Sequence, residues 1–298
     1  MKHITVLLSE AVDALELTES SVVVDATFGS GGHAREILKR LGPDGVYIGI
    51  DADASAFVVA REEIESHKAT THLVVDNFRS LSEILDSLKI EKVDAILADL
   101  GWRSEQFTEG HRGFSFHEND PLVMTYGDPA LYTFTAYDIV NFWDENNIAD
   151  VIYGYGEERG SRRIARAIVE AREEKEIETA AELAAIVKEA LPARLTNPRI
   201  HPATKTFQAL RIAVNDELGA LETLLLDGFT RLHDGGRMAI ITFHSIEDRV
   251  VKRIFKTFTD EGSAEKVTKK PMVPTREEIV SNPRARSAKL RVIEKTEN

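Results

Sequence analysis

The sequence predicts an α/β protein built on a parallel sheet that is interrupted after its fourth strand by a mainly helical insert. Three observations carry that reading. Residues 22–33, VVVDATFGSGGH, run a β-branched segment into an acid and then three glycines within four residues, which marks a strand, a tight turn and a helix start. Three further apolar runs follow within the first hundred residues, each ending on polar residues and separated by helical periodicity. From 136 to 191 the pattern is helical without a strand, and at 237–244, RMAIITFH, the alternation returns.

Taken in order, residues 10–15 read as an amphipathic opening helix, 22–25 as the first strand and 33–41 as the helix that the glycine turn starts. VYIGID at 46–51 is the second strand, 55–67 a helix, and 72–75 a third strand running into Asp76, Asn77 and Phe78. Residues 81–88 form a helix for which Ser80 and Glu83 have capping-box spacing, and 93–98 a strand running into Asp99. After Gly101 the rhythm breaks into a segment rich in Gly, aromatic and charged residues up to 135. Thr179 and Glu182 cap a helix that stops at Pro192, and a long helix is expected over 204–232, ended by Asp234, Gly235 and Gly236. The strand at 237–244 leads to Ser245 and Asp248, again with capping-box spacing, and a last strand is expected at 289–294. The expected organisation is a sheet unit in two parts, 1–106 and 205–298, around an insert at 107–204.

At 298 residues and 43% hydrophobic the chain can bury a substantial core. No apolar run approaches the 18 or so residues of a membrane span, and acids appear too early for a signal peptide, so a cytoplasmic location is expected. The absence of cysteine excludes disulfides, thiolate metal sites and thiol nucleophiles, including pyrimidine chemistry through a cysteine adduct. A formal net charge of −13 argues against indiscriminate coating of nucleic acid, so any such contact must be local.

The glycine turn satisfies G-x-G-x-x-A with Gly29, Gly31 and Ala34, a dinucleotide-like pattern that an ordinary tight turn also satisfies. Asp51 lies 20 positions beyond Gly31, where nucleotide-binding sheets place an acid on ribose hydroxyls. Each acid at a strand end could instead cap a helix, but four strand ends on one edge together point to a ligand. Arg159, Arg162, Arg163 and Arg166 recur at helical spacing and suit phosphate; a solvated face paired with Glu157, Glu158 and Glu170 is the alternative. The stretch 266–291 has eight basic residues, including Arg284 and Arg286, and three prolines, and reads as a poorly ordered arm suited to a polyanion. Lys205, Gln208 and Arg211 are polar positions among the apolar stripe of Phe207, Leu210 and Val214 and could face solvent or a cleft. No histidine pair has metal-ligand spacing supported by acids, so no metal is expected.

Over nearly its full length the chain resembles the bacterial 16S rRNA cytosine-N4 methyltransferases, the MraW or RsmH family. The blocks that carry the resemblance are HITVLLSEAV, DATFGSGGH, VDAILADLG, RGFSF, YGEERGSRRIARAIVEAR, HPATKTFQALRIAVNDEL, ITFHSIEDRVVKR and NPRARSAKLRV. The resemblance implies a Rossmann-like class I S-adenosylmethionine-dependent methyltransferase sheet with an inserted helical domain for substrate recognition. It implies S-adenosyl-L-methionine as cofactor and a cytidine in the decoding centre of 16S rRNA, free or in the small ribosomal subunit, as target, with no membrane partner. Gly31, Gly32 and His33 would then contact the cofactor in the first turn, Asp51 its ribose and Phe78 its adenine, with Asp99 and Gln106 toward its methionine end. Asp99 would also be the catalytic residue, and RNA would be held by Arg159, Arg162, Arg163, Arg166, Lys205, Arg211, Arg284 and Arg286. The chain departs from the family pattern at Trp102, Arg103 and Glu105, and again at Val123 and Thr125. Two other functions fit parts of the sequence: a ribosome-assembly factor that keeps the cofactor pocket without turnover, and a nicotinamide-dependent oxidoreductase supported by the glycine turn and Asp51. Oligomeric state is left open, a homodimer included.

Overall fold

The computed structural model describes residues 4–58, 60–100, 111–116, 119–192 and 201–297. The chain forms two compact units, Met1–Trp102 with Leu218–Asn298, and Arg103–Glu217.

The first unit is built on a seven-stranded sheet of β1 (Val22–Asp25), β2 (Val46–Asp51), β3 (Thr70–Val75), β4 (Val93–Asp99), β5 (Leu232–Thr242), β6 (Ala264–Lys266) and β7 (Lys289–Lys295). Their spatial order is β3-β2-β1-β4-β5-β7-β6; the first five are parallel, and β7 runs antiparallel to β5 and β6. Alternate strand residues feed two separate cores, as the near-continuous apolar runs require of a sheet covered on both faces. Val23, Leu97, Ala239 and Ile241 pack with helices α1 (Leu8–Ala14) and α2 (Gly32–Leu38), whereas Val24, Ile48, Ile96 and Ile240 pack with α4 (Leu81–Ser87) and the helices at Glu217–Arg231 and Ser245–Asp260.

Several local expectations give way to tertiary structure. The helix expected at 55–67 is a 3₁₀ turn, Ala54–Phe57, capped by the Asp53 side chain, followed by a short helix α3 (Arg61–Glu65). Ser80 caps nothing with its side chain: its hydroxyl is spent on Asp76 Oδ1 at 3.2 Å, and Asn77 caps the 3₁₀ turn Phe78–Ser80 by accepting from Arg79 N. The single helix expected at 204–232 breaks at Asp216, whose φ of 45° ends one helix at Asn215 and lets another begin at Glu217. Asp234, Gly235 and Gly236 lie within β5 instead of ending a helix. The basic stretch at 266–291 is folded: β6, the helix Arg276–Ser281 and β7 organise it, Ala285 and Ala288 enter the core, and Glu278 accepts from Leu7 N at 2.8 Å. Burial of those two alanines and pairing of Met272 with Leu290 are what a polar arm would not supply.

The second unit is helical among its described residues: α5 (Ala136–Phe142), α6 (Glu145–Gly156), α7 (Ser161–Glu174), α8 (Ala180–Ala190) and α9 (Thr204–Asn215) enclose one apolar core. The expected cap at Thr179 is present with Glu182 reciprocating, and Thr135 and Asp138 form a second capping box. Helix α9 contributes Phe207, Leu210 and Val214 to this core, so the insert extends to Glu217, beyond the boundary expected at 204. Its apolar stripe decides membership, because those side chains pack with the other helices of the insert.

Arg211, expected on RNA, is buried in α9 and committed elsewhere. Its Nε and Nη2 lie 2.7 and 2.9 Å from the two carboxylate oxygens of Glu217, and Tyr126 donates its hydroxyl to the same Glu217 at 2.8 Å. Breaking such a fork strands a buried charge. Arg211→Ala is therefore expected to destabilise the protein by roughly 3 kcal/mol in denaturant titration, and when the variant is assayed folded, the salt dependence of RNA binding should match that of the parent.

Candidate functional site

The site is built where the central strand stops short. β1 ends at Asp25, opposite Gly49 of β2 and Leu97 of β4, while β2 and β4 continue to Asp51 and Asp99. The chain leaving β1 fills that notch and is bound to both neighbours. Ala26 N donates to Leu97 O at 2.8 Å and Asp99 N to Thr27 Oγ1 at 2.6 Å on one side; Phe28 N donates to Ile50 O at 2.8 Å and Gly29 N to Asp51 Oδ2 at 2.9 Å on the other. Gly49 makes room, since a Cβ there would lie 2.9 Å from the Phe28 ring. Gly31, with φ of 73°, caps α2 in the left-handed region that favours glycine.

Five expected positions thus come together around this notch. Gly31 and Gly32 form the turn and the first residue of α2, and His33 follows on α2 with 4% of its surface exposed. Asp51 holds Gly29 N on one oxygen and Asp53 N, at 2.9 Å, on the other, which fixes the carboxylate at the C-terminal end of β2. Asp99 ends β4, and its Oδ2 lies 3.8 Å from His33 Nδ1. Phe78 is half-buried in the turn after β3 and packs against the core on the α4 face of the sheet. Gln106, Trp102, Arg103 and Glu105 lie outside the described residues.

Sequence reading missed two features beneath this surface. Asp25 is fully buried, accepting from Tyr47 Oη at 2.9 Å and from Thr27 N at 3.3 Å. Burial pushes its carboxyl up to about 7; the bonds from Tyr47 and Thr27 offset part of that rise, and the charge of Asp51 adds to it. Burial, with the adjoining acid second, also raises the Tyr47 phenol well above its ordinary range. The signal available was an acid inside a β-branched run, which reads as a strand end until its partner on β2 is known. The second feature is His244, which with Glu247 caps the helix Ser245–Asp260, a place the sequence assigned to Ser245 and Asp248. Glu247 Oε2 accepts from Phe243 N and His244 N at 2.9 and 3.2 Å, and His244 Nε2 lies 3.0 Å from Glu247 Oε1. Asp248 is held instead by Lys289 and Arg291 of β7, at 2.9 and 2.7 Å.

The model of the MraW methylase family matches residues 1–296. The chain belongs to this family. It is 41% identical over 310 residues to the ribosomal RNA small subunit methyltransferase H of Clostridioides difficile (strain 630), covering 98% of each chain. It is 43% identical to the enzyme of that name in Brevibacillus brevis, again covering 98% of each. With the one of Clostridium botulinum (strain Loch Maree / Type A3) it shares 44% identity over 99% of each. Membership places the strand-end acids within a methyltransferase and sets the oxidoreductase reading aside.

The residues expected on RNA divide by exposure. Arg159, Arg162, Arg163 and Arg166 are all exposed, Arg159 just before α7 and the others along it. Arg166 lies 3.7 Å from Glu145, and among the described residues the other three have no ion pair. Lys205 is exposed but donates to Glu157 O at 3.0 Å. Arg284 and Arg286 are exposed in the 3₁₀ turn Pro283–Ser287. Val123 and Thr125 serve the insert's own packing, the first accepting from Ala136 N and the second from Arg112 through its carbonyl.

The buried Asp25 makes stability depend on pH with a definite sign. Its folded value, about 7, exceeds the unfolded value of 3.8, so the folded chain holds this proton more tightly. Its stabilising contribution is complete below about pH 4 and is lost as pH rises toward 7. Asp25→Asn can keep both contacts through its amide and is expected to gain stability relative to the parent between pH 4 and 7, by on the order of a few kcal/mol, then to hold that difference at higher pH. Denaturant titrations of both proteins across that range check it; a constant difference would contradict it.

Proposed function

We propose that the chain methylates N4 of a cytidine in the decoding centre of 16S rRNA, in the cytoplasm, using S-adenosyl-L-methionine. The observation that carries this reading is the notch at β1, where a glycine turn, a fixed ribose-type acid and a second strand-end acid converge in a chain that matches its family end to end. The residues fit the cofactor: Gly31, in its left-handed conformation, turns the chain into the start of α2, Asp51 presents a fixed acceptor to a ribose diol, and Phe78 offers a half-buried ring after β3. When bound, that cofactor supplies an electrophilic methyl group.

The remaining work falls to the protein. The N4 amine of cytosine is a weak nucleophile, its lone pair delocalised into the ring, so alignment carries most of the catalysis. A carboxylate at Asp99 accepts an N–H of the amine, turns its lone pair toward the methyl group and takes up the proton released as the N–C bond forms. The base must leave its stack to reach a strand end inside a protein. No covalent adduct is needed, consistent with a chain that has no cysteine. RNA is held by the exposed arginines of the insert. Helix α7 has no acid in its first turn and carries Arg162 and Arg163 there, the reverse of what the helix dipole favours and an arrangement that an arriving phosphate would stabilise.

Single-turnover transfer to unmodified small ribosomal subunits, with N4-methylcytidine read by nucleoside mass analysis, tests the assignment. At saturating cofactor, Asp99→Ala should slow transfer by about 10²-fold or more while RNA affinity changes little. No product from the unaltered protein would leave a binding factor as the better account. Neutralising Arg162 and Arg163 together should weaken RNA binding and flatten its dependence on salt by about two counterions, with cofactor affinity unchanged. An unaltered salt slope would return those arginines to an ordinary solvated face.

A further inference from the structure

Asp99 is positioned by a side chain where its strand lacks a backbone partner. Along β4 the amides that face β1 recur at every second residue, and the last ladder bond on that side is Ala26 N to Leu97 O at 2.8 Å. The next amide facing the same way is Asp99 N, and by then β1 has ended. Its acceptor is the hydroxyl oxygen of Thr27, at 2.6 Å. Thr27 is itself held from beneath, its amide donating to the buried carboxylate of Asp25, which also takes the Tyr47 hydroxyl. On its other side Asp99 is followed by Leu100, whose amide donates to Ile241 O at 3.0 Å, so the backbone amides at the end of β4 are held on both flanks, by Ile241 on one and by the Thr27 hydroxyl on the other.

We infer that Thr27 is a positioning residue for the methyl-transfer step, acting through the backbone of Asp99 and backed by the Tyr47–Asp25 pair. The inference rests on the proposed role of Asp99. A carboxylate that must meet an amine within hydrogen-bond reach depends on where its own Cα is held, and misplacement by about 1 Å costs on the order of 10²-fold in rate. Removing the hydroxyl leaves the Asp99 amide without its acceptor and lets the strand end relax toward water or toward β5. The cofactor turn keeps its other attachments, Phe28 N to Ile50 O and Gly29 N to Asp51, so binding should be spared.

The test compares Thr27→Val, which keeps the shape and loses the hydroxyl, with Thr27→Ser, which keeps the hydroxyl, in the full-length protein on unmodified small ribosomal subunits. Asp99→Ala is run beside them. Thr27→Val should lower the saturated single-turnover rate by about 10- to 100-fold, with the RNA concentration for half-maximal rate and the calorimetric affinity for S-adenosylhomocysteine each within about threefold of the parent. Thr27→Ser should recover the rate to within about threefold. A residue that only supported folding would reduce thermal stability and active fraction without this split, so thermal unfolding and active-site titration accompany the rates. If Asp99→Ala is slow and Thr27→Val is not, the positioning role is overturned while the Asp99 assignment stands. If Asp99→Ala transfers at the parent rate, the Asp99 assignment fails and this inference with it. Failure of Thr27→Ser to rescue also overturns the role of the hydroxyl.

Discussion

The short central strand is the constraint on which the site depends. β1 has four residues, and its neighbours β2 and β4 extend past it, so the chain leaving β1 emerges between two strands that still carry unpaired backbone groups. Unpaired backbone groups inside a protein are costly, and the turn after β1 answers β4 with Ala26 and Thr27 and then β2 with Phe28 and Gly29. The acids at the ends of β2 and β4 are thereby fixed relative to one glycine turn. A longer β1 would have completed the ladder and filled the notch with side chains.

Fixing the turn requires an acid in the interior. Asp25 accepts from both Tyr47 and Thr27, and its burial is severe enough to raise its proton affinity strongly. A buried carboxylate is expensive and, when adequately bonded, can specify a single geometry. Here one donor comes from β2 and the other from the turn after β1, so one side chain joins the register of β2 to the conformation of the turn. The cost in stability falls on the element that has to be most rigid for chemistry, as expected of functional sites.

The insert uses charge differently. Three of its interior polar side chains are satisfied locally: Asn141 bridges Tyr137 and Ile177, Arg172 reaches the carbonyls of Val140 and Trp143, and Arg211 is consumed by Glu217. The guanidinium groups left at the surface cluster around the start of α7 in a chain whose net charge is −13. Local concentration of positive charge in an acidic protein permits a polyanion to be held in one place while the remainder repels it.

The parallel strands, the helical insert and the acids at the strand ends were legible in the sequence because each is written in local pattern: apolar runs, periodicity near 3.6, and glycines followed by a helix start. Thr179 and Glu182 were legible as a cap for the same reason, their partners lying three residues apart. What only the folded structure decided depends on partners that the sequence pattern does not name. Ser80 lost its capping role to Asp76, and the helix over 204–232 divided at Asp216 because its two halves serve different cores. The basic C-terminal stretch became ordered by burying Ala285 and Ala288, and Arg211 turned from a surface candidate into half of a buried ion pair. Thr27 looked like any residue of a glycine-rich turn. Only the ending of β1 two residues before Asp51 and Asp99, which no local pattern records, brought its hydroxyl to the amide of a residue 72 positions away.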